Sequence, residues 1–295
     1  MAWESGWQVR SRSRRGSPAA AAAHHRRSMK SNKPLPRNFS APQNLNATCL
    51  IGMLCLAMAA DLTDPDKKEI AMKLVSSFEN SSLDWRAQFK YIEDIGDGRG
   101  YTAGIIGFTT RTGDLLEVVR RYTDLKPDNV LAKYIGALES VLGSDSHEGL
   151  DPGFVDDWKA AAEDAELQRA QEEERDGVYF DPAVNQAKSD GLRALGQFIY
   201  YDAIVMHGGG DDENSFGSIR AKARQTASPP AEGGEETAYL HVFLDARVEA
   251  MKKEQAHSDT SRVDTAQRVF LNNGNLDLNL PLEWHVYGDY YQIPN

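Results

Sequence analysis

The sequence predicts an α+β domain with a helical majority. Apolar residues recur at helical spacing in several separate segments, and two short runs of aromatic and branched side chains flank one glycine-rich turn. Proline and glycine punctuate the stretches between them. At 295 residues the chain can form one large domain or two modest lobes. It contains no internal repeat and no zinc-type Cys/His spacing.

From residue 61 the elements read in order. Asp64-Pro65 starts a helix, an N-cap carboxylate followed by proline at the first helical position. Ile70, Ala71, Leu74, Val75 and Phe78 then form one apolar face as far as Glu79, and Asn80-Ser-Ser82 ends it. Residues 85–92 and 101–108 read as strands on their aromatic and branched content. The turn between them, Gly96-Asp97-Gly98-Arg99-Gly100, has glycines that permit positive φ. Helices are expected over 114–123 and 128–142, and the acidic, Ala-rich 154–175 reads as one solvated helix. Asp181-Pro182 opens a further helix that becomes apolar all round by 192–206, the pattern of a central buried helix. Loops follow at 207–212 and 228–234, with helices near 215–225, 236–257 and 262–271.

Residues 1–60 differ in kind. They hold nine Lys/Arg against the single acid Glu4, then an uncharged apolar run over 47–60 that ends in small residues. Basic residues, about a dozen apolar ones and an Ala-x-Ala ending (Ala57-Met-Ala59) are the anatomy of a signal peptide. The run is short for a bilayer span, which needs about 20 apolar residues. An uncut signal anchor is the alternative, and Met29 is an alternative start. The expected organisation is an N-terminal extension over 1–60 and a folded domain over 61–295, exported from the cell. Both cysteines, Cys49 and Cys55, lie in the extension, so cysteine usage identifies no compartment for the rest.

Beyond residue 60 the net charge is −19 with histidine neutral. Such a surface repels nucleic acid and anionic membrane and attracts cations, although acidic surfaces also serve solubility alone. Within it the pair Glu79 and Asp97 is the leading candidate for chemistry. Glu79 ends an apolar helical face, where burial would favour the protonated carboxyl. Asp97 sits in a glycine turn, where backbone amides and water favour the charged form. Two carboxyls in contrasting surroundings meet the requirement for glycoside hydrolysis, and Thr102 just beyond the turn is placed to hold a water. On spacing alone the pair reads rather as a helix-end acid and an ordinary turn residue. His207-Gly-Gly-Gly lacks the Gly-x-Ser-x-Gly that an esterase would add, and Asp94 to Gly100 lacks the acids and closing glutamate of a calcium loop. The histidines at 147, 207, 241, 257 and 285 show no metal spacing, so no metal and no cofactor is expected.

Longer stretches carry a resemblance. Glu79-Asn-Ser-Ser-Leu-Asp-Trp85, Tyr91-Ile-Glu-Asp-Ile-Gly-Asp-Gly-Arg-Gly-Tyr-Thr102, Gly104-Ile-Ile-Gly-Phe108, Tyr179-Phe-Asp-Pro-Ala183, Tyr201-Asp-Ala-Ile-Val-Met-His207, Phe243-Leu-Asp-Ala-Arg247 and Asp259-Thr-Ser-Arg-Val-Asp264 resemble the bacterial chitosanases of glycoside hydrolase family 46. The likeness spans essentially all of 61–295. It implies a two-lobed, mostly helical, lysozyme-like fold with a small antiparallel sheet and a substrate cleft between the lobes. It further implies endo-hydrolysis, with inversion, of β-1,4 links between glucosamine units of chitosan, a polycation. By position, Glu79 matches the proton donor, Asp97 the general base and Thr102 the residue that positions water. Asp202, Arg247 and Arg262 match a supporting ion-pair network. Ser81, Tyr91, Arg99, Asp114, Tyr179, Glu254 and His257 match cleft positions, with Asp114 and Glu254 facing substrate ammonium groups. The enzyme is expected to act as a secreted monomer, with no nucleic-acid partner and no membrane after signal removal. Thr109-Thr-Arg-Thr112 departs from the family pattern and places Arg111 near the cleft. Two rival readings remain: a muramidase or chitinase on the same fold, and a non-catalytic chitosan or cell-wall binding protein.

Overall fold

The computed structural model describes residues 61–253 and 258–295. The expected export segment over 1–60 and two expected cleft residues, Glu254 and His257, lie outside them. The described chain is α+β and mostly helical, with ten α-helices among the described residues and two small antiparallel sheets.

Helix α1, Pro65–Glu79, begins at the expected proline and buries Ile70, Ala71, Leu74, Val75 and Phe78. Residues 85–92 were expected as a strand, but Trp85–Lys90 is a 3-10 turn. Asp84 Oδ1 caps it by accepting from Ala87 N, and Trp85 and Phe89, one helical turn apart, pack ring on ring. Strands β1 (Ile92–Asp94), β2 (Tyr101–Ala103) and β3 (Phe108–Thr109) form an antiparallel sheet in that order. The strand expected over 101–108 is interrupted because Gly104 and Gly107 both take positive φ, and a Cβ at Gly104 would lie 2.4 Å from Gln171 Oε1.

Then come α2 (Asp114–Leu125), a 3-10 turn at Ala132–Tyr134 and a short α3 (Ile135–Ser140). The single solvated helix expected over 154–175 is two helices, α4 (Phe154–Ala161) and α5 (Ala165–Arg175), divided where Asp164 caps the second. Nor are they solvated all round, since Phe154, Trp158, Leu167 and Ala170 are buried. A π turn at Asp176–Phe180 links α5 to α6 (Asp181–Ser189). Gly191 at positive φ stops α6, so the continuous helix expected from Asp181 breaks before α7 (Ala194–His207). Every α7 residue from Ala194 to Val205 is buried, in line with its all-round hydropathy. Helices α8 (Phe216–Arg224) and α9 (Glu236–Lys252) pack together, and a second π turn, Arg262–Gln267, leads into α10 (Arg268–Asn272).

The C-terminal hairpin, β4 (Leu282–Val286) with β5 (Asp289–Ile293), was not anticipated. Leu282, Trp284 and Val286 alternate inward, and Tyr287-Gly288 makes the two-residue turn with both φ positive.

Two packing groups result. The three-stranded sheet, the turn at Trp85 and α2 to α5 form one, the turn also touching α1 through Glu69, while α1 and α6 to α10 gather around α7. The π turn at Asp176–Phe180 touches α5, α6 and α7 and joins the groups. No helix of the described residues is long and apolar enough to cross a membrane.

Candidate active site

Glu79 is the last residue of α1, with 12% of its side chain exposed. The sequence expectation that an apolar face surrounds it needs correction. Its Oε1 accepts from Arg262 Nη2 at 2.7 Å, and the guanidinium lies over the Phe78 ring, 5.1 Å from its centroid. The same Nη2 is 2.6 Å from Asp202 Oδ1. Asp202 sits in the middle of fully buried α7, where an unpaired carboxylate would be prohibitively costly. It is paired on both oxygens: Arg247 Nη1 at 2.6 Å and Gln267 Nε2 at 2.7 Å both donate to Oδ2. Burial alone would raise the Asp202 carboxyl, but Arg247 and Arg262 outweigh it and hold the group below the ordinary carboxylate value.

Gln267 and Tyr287 belong to this cluster and were missed in the sequence. Gln267 lies five residues after Arg262, and the π turn puts both on one side, a spacing that α-helical periodicity does not suggest. Tyr287, at the hairpin turn, donates its backbone N–H to Ser261 Oγ at 3.0 Å. Its hydroxyl pKa is pushed up, by burial first, and the group lies within the fields of Arg262, Glu79 and Asp202. The one available signal was the Tyr-Gly pair, which reads as a turn. Ser81, exposed at φ +50° just after α1, lies near the Tyr291 phenol of β5.

Asp97 occupies the tip of the β1–β2 hairpin, where Gly96, Gly98 and Gly100 all have positive φ. Arg99 donates twice to it, from backbone N to Oδ1 at 3.0 Å and from Nε to Oδ2 at 2.6 Å, and its Nη2 also lies against Oδ2. The arginine is buried while 28% of the Asp97 side chain is exposed, so the carboxylate is oriented from behind and open in front. Thr102 on β2 is 1% exposed, and its Oγ1 has no hydrogen-bond partner among the described residues. Tyr91 is half-buried within the fields of Asp97 and Arg99, its phenol pushed up by burial, Glu93 and Asp97. Arg111 donates to Gly98 O at 3.1 Å, bracing the turn.

Asp114 and Tyr179 are placed differently. Asp114 Oδ1 takes all three donors, Thr109 N, Leu115 N and the Thr112 hydroxyl, at the start of α2. Desolvation nonetheless pushes its carboxyl up to about 6. Tyr179 is buried within the π turn that joins the two packing groups. Among the described residues no group of His, Cys, Asp or Glu is arranged to hold a metal ion.

One acid at the end of α1 and one in the β1–β2 turn are thus each fixed by an arginine. The model of one protein family, glycosyl hydrolase family 46, matches residues 73–282. The chain belongs to glycosyl hydrolase family 46. Among similar family members, a chitosanase of Streptomyces sp. (strain N174) is 68% identical over 234 residues, 79% of this chain and 84% of the relative. A chitosanase of Nocardioides sp. (strain N106) is 60% identical over 259 residues, 88% of this chain and 93% of the relative. A co-crystal structure of chitosanase OU01 with substrate is 60% identical and superposes with a TM-score of 0.76, covering 80% of this chain and 99% of that one. The fold is therefore the family 46 fold, lysozyme-like and mostly helical with a small antiparallel sheet, as the sequence motifs implied.

Proposed function

We propose that this family 46 hydrolase is a secreted endo-chitosanase that cleaves β-1,4 links between glucosamine units with inversion, through Glu79 as acid and Asp97 as base. The supporting observation is the pair itself: a carboxyl anchored in a buried ion network, and a second on the glycine hairpin whose strand β2 carries Thr102, with a buried hydroxyl that has no hydrogen-bond partner among the described residues. Membership of the family and the relatives named chitosanase supply the substrate class.

In this reading the polycationic chain binds along the acidic surface of the catalytic domain, residues 61–295. Arg262 holds Glu79 by Oε1, which leaves Oε2 to protonate the glycosidic oxygen as the bond to the anomeric carbon lengthens. Asp97 takes a proton from a water on the opposite face of the sugar, and that water attacks the anomeric carbon. Thr102 holds the water by its hydroxyl. Inversion requires the two carboxyls to stand roughly 6.5–9.5 Å apart so that a water fits. Arg99 keeps Asp97 aimed and Asp202 keeps Arg262 on Glu79. Ser81, Tyr91, Asp114 and Tyr179 complete the cleft, and residues 1–60 direct export. The step balances with two carboxyls and one water and calls on no cofactor.

Glu79→Gln and Asp97→Asn are expected each to lower kcat on soluble chitosan by several orders of magnitude while circular dichroism stays unchanged. A wild-type rate for either variant would defeat the assignment. Proton NMR of fresh digests is expected to show the α-anomer first. Initial β-anomer would mean retention, and preference for heavily acetylated chains would mean a muramidase or chitinase.

A further inference from the structure

The hairpin that carries Asp97 is backed by the segment 143–151. Gly143 N donates to Arg111 O at 2.9 Å, and a Cβ at Gly100 would stand 3.6 Å from the Asp145 backbone. At the centre of this brace is His147. Its ring lies flat on Tyr101 of β2, centroids 4.0 Å apart and planes 12° from parallel. A carboxylate faces each of its nitrogens: Asp94 Oδ2 is 3.1 Å from Nε2 and Asp151 Oδ2 is 3.5 Å from Nδ1. Tyr101 closes the circuit by donating its hydroxyl to Asp151 Oδ1 at 2.5 Å. Asp94 ends β1 at the mouth of the turn, and its other oxygen accepts from Gly96 N at 2.8 Å.

A neutral imidazole has one N–H and one lone pair, so between two carboxylates it turns the lone pair against an anion. The imidazolium presents an N–H to both. Nε2 is buried and stands 3.1 Å from Asp94 Oδ2, so ring and carboxylate are in direct contact at that end. The groups facing the ring are Asp94 from β1, Tyr101 from β2 and Asp151 ahead of α4, so the imidazole is clasped between two acid side chains and an aromatic face. The ring thereby pins the first residue of a turn whose glycines would otherwise leave it loose.

We propose that His147 is a positioning residue: by holding Asp94 it fixes the backbone of the 94–100 turn and hence the direction in which Asp97 faces its water. The inference rests on the reading of Asp97 as base. His147 acts through Asp94 and touches no substrate, so its loss should cost turnover rather than binding.

The test is steady-state kinetics on soluble chitosan for His147→Ala, His147→Gln, Asp94→Asn and the double variant Asp94→Asn/His147→Gln, with Asp97→Asn as control and thermal unfolding alongside. His147→Ala is expected to lower kcat about 10- to 100-fold with KM within about threefold, and His147→Gln to lose less. Asp94→Asn should resemble His147→Gln, and the double variant should be no worse than the poorer single one, because both remove the same contact. Should His147→Ala fail to fold, the remaining three variants carry the same comparison. Wild-type kcat in the His147 and Asp94 variants, a raised KM with kcat retained, or fully additive losses would each overturn the proposal. An Asp97→Asn enzyme at full rate removes the underlying reading of the base. An inactive Asp97→Asn beside unimpaired His147 variants removes this inference alone.

Discussion

The arginine that holds Glu79 lies 183 residues away in sequence, whereas the arginine that holds Asp97 lies two residues away. Glu79 is reached through the core: α1, α7 and α9 each contribute one side chain, and the π turn before α10 two, to a single buried network. Asp97 is reached through the chain, by a turn whose glycines permit a shape that lets Arg99 fold back onto its neighbour. The difference has a consequence for energetics. Orientation of the first carboxyl is inseparable from global stability, while orientation of the second can be lost with the fold standing.

The strongest way to break that contrast is Asp202→Ala. It strands two buried guanidiniums and frees Arg262 from its position between Asp202 and Glu79. Removal of one partner from a buried ion pair costs about 3–5 kcal/mol. Urea unfolding should show a loss of that order, with kcat falling as well. A variant within about 1 kcal/mol of wild type would mean that the network does not couple Glu79 to the core. On the other side, Arg99→Ala should lower kcat about 10- to 100-fold through a misaimed Asp97, while destabilising less than Asp202→Ala does. Arg99→Lys should recover little, because an ammonium cannot reproduce the Nε and Nη2 fork on Oδ2. Equal stability losses for Asp202→Ala and Arg99→Ala would erase the distinction between core-held and chain-held acids.

The same contrast explains what could be read in the sequence. The Asp97 turn was legible because its three glycines and Arg99 lie within five consecutive residues, although the bracing by Arg111 and His147 from farther along the chain was not. The buried character of α7 was legible for a similar reason, since its hydropathy is local. The surroundings of Glu79 were not, because an apolar helix face says nothing of an arginine arriving from residue 262. Family resemblance supplied Asp202, Arg247 and Arg262, and the structure places both arginines on that aspartate. Gln267 had no such guide, and its π-turn spacing hid it from a 3.6-residue period. At Trp85–Lys90 the aromatic content argued for a strand, yet the Asp84 cap and the i,i+4 pair of rings decided for a turn of helix. The terminal hairpin was overlooked although Leu282, Trp284 and Val286 alternate cleanly.

A third acid sharpens the comparison by a smaller effect. Asp114 resembles Asp202 in having an enclosed carboxyl, although the residue as a whole is only half-buried. Its partners are the Thr112 hydroxyl and two backbone N–H groups, Thr109 of β3 and Leu115 of α2, with no guanidinium among them. Desolvation therefore prevails and raises its carboxyl from the ordinary 3.8 to about 6, whereas two arginines lower Asp202. The signs for stability are opposite. A raised acid binds its proton more tightly in the folded state, so its contribution falls as pH rises between 3.8 and about 6 and stays low above that window. For a lowered acid such as Asp202, the contribution is present above the ordinary carboxylate value and fades as pH falls through the depressed one. Asp114→Asn cannot ionise, so the variant should gain on wild type across that rising window. The difference in Tm should grow from near zero at about pH 4 to a few degrees at about pH 7. A difference that stays flat with pH would mean that the Thr109 and Leu115 N–H groups and the α2 dipole neutralise the Asp114 charge as completely as arginines neutralise Asp202.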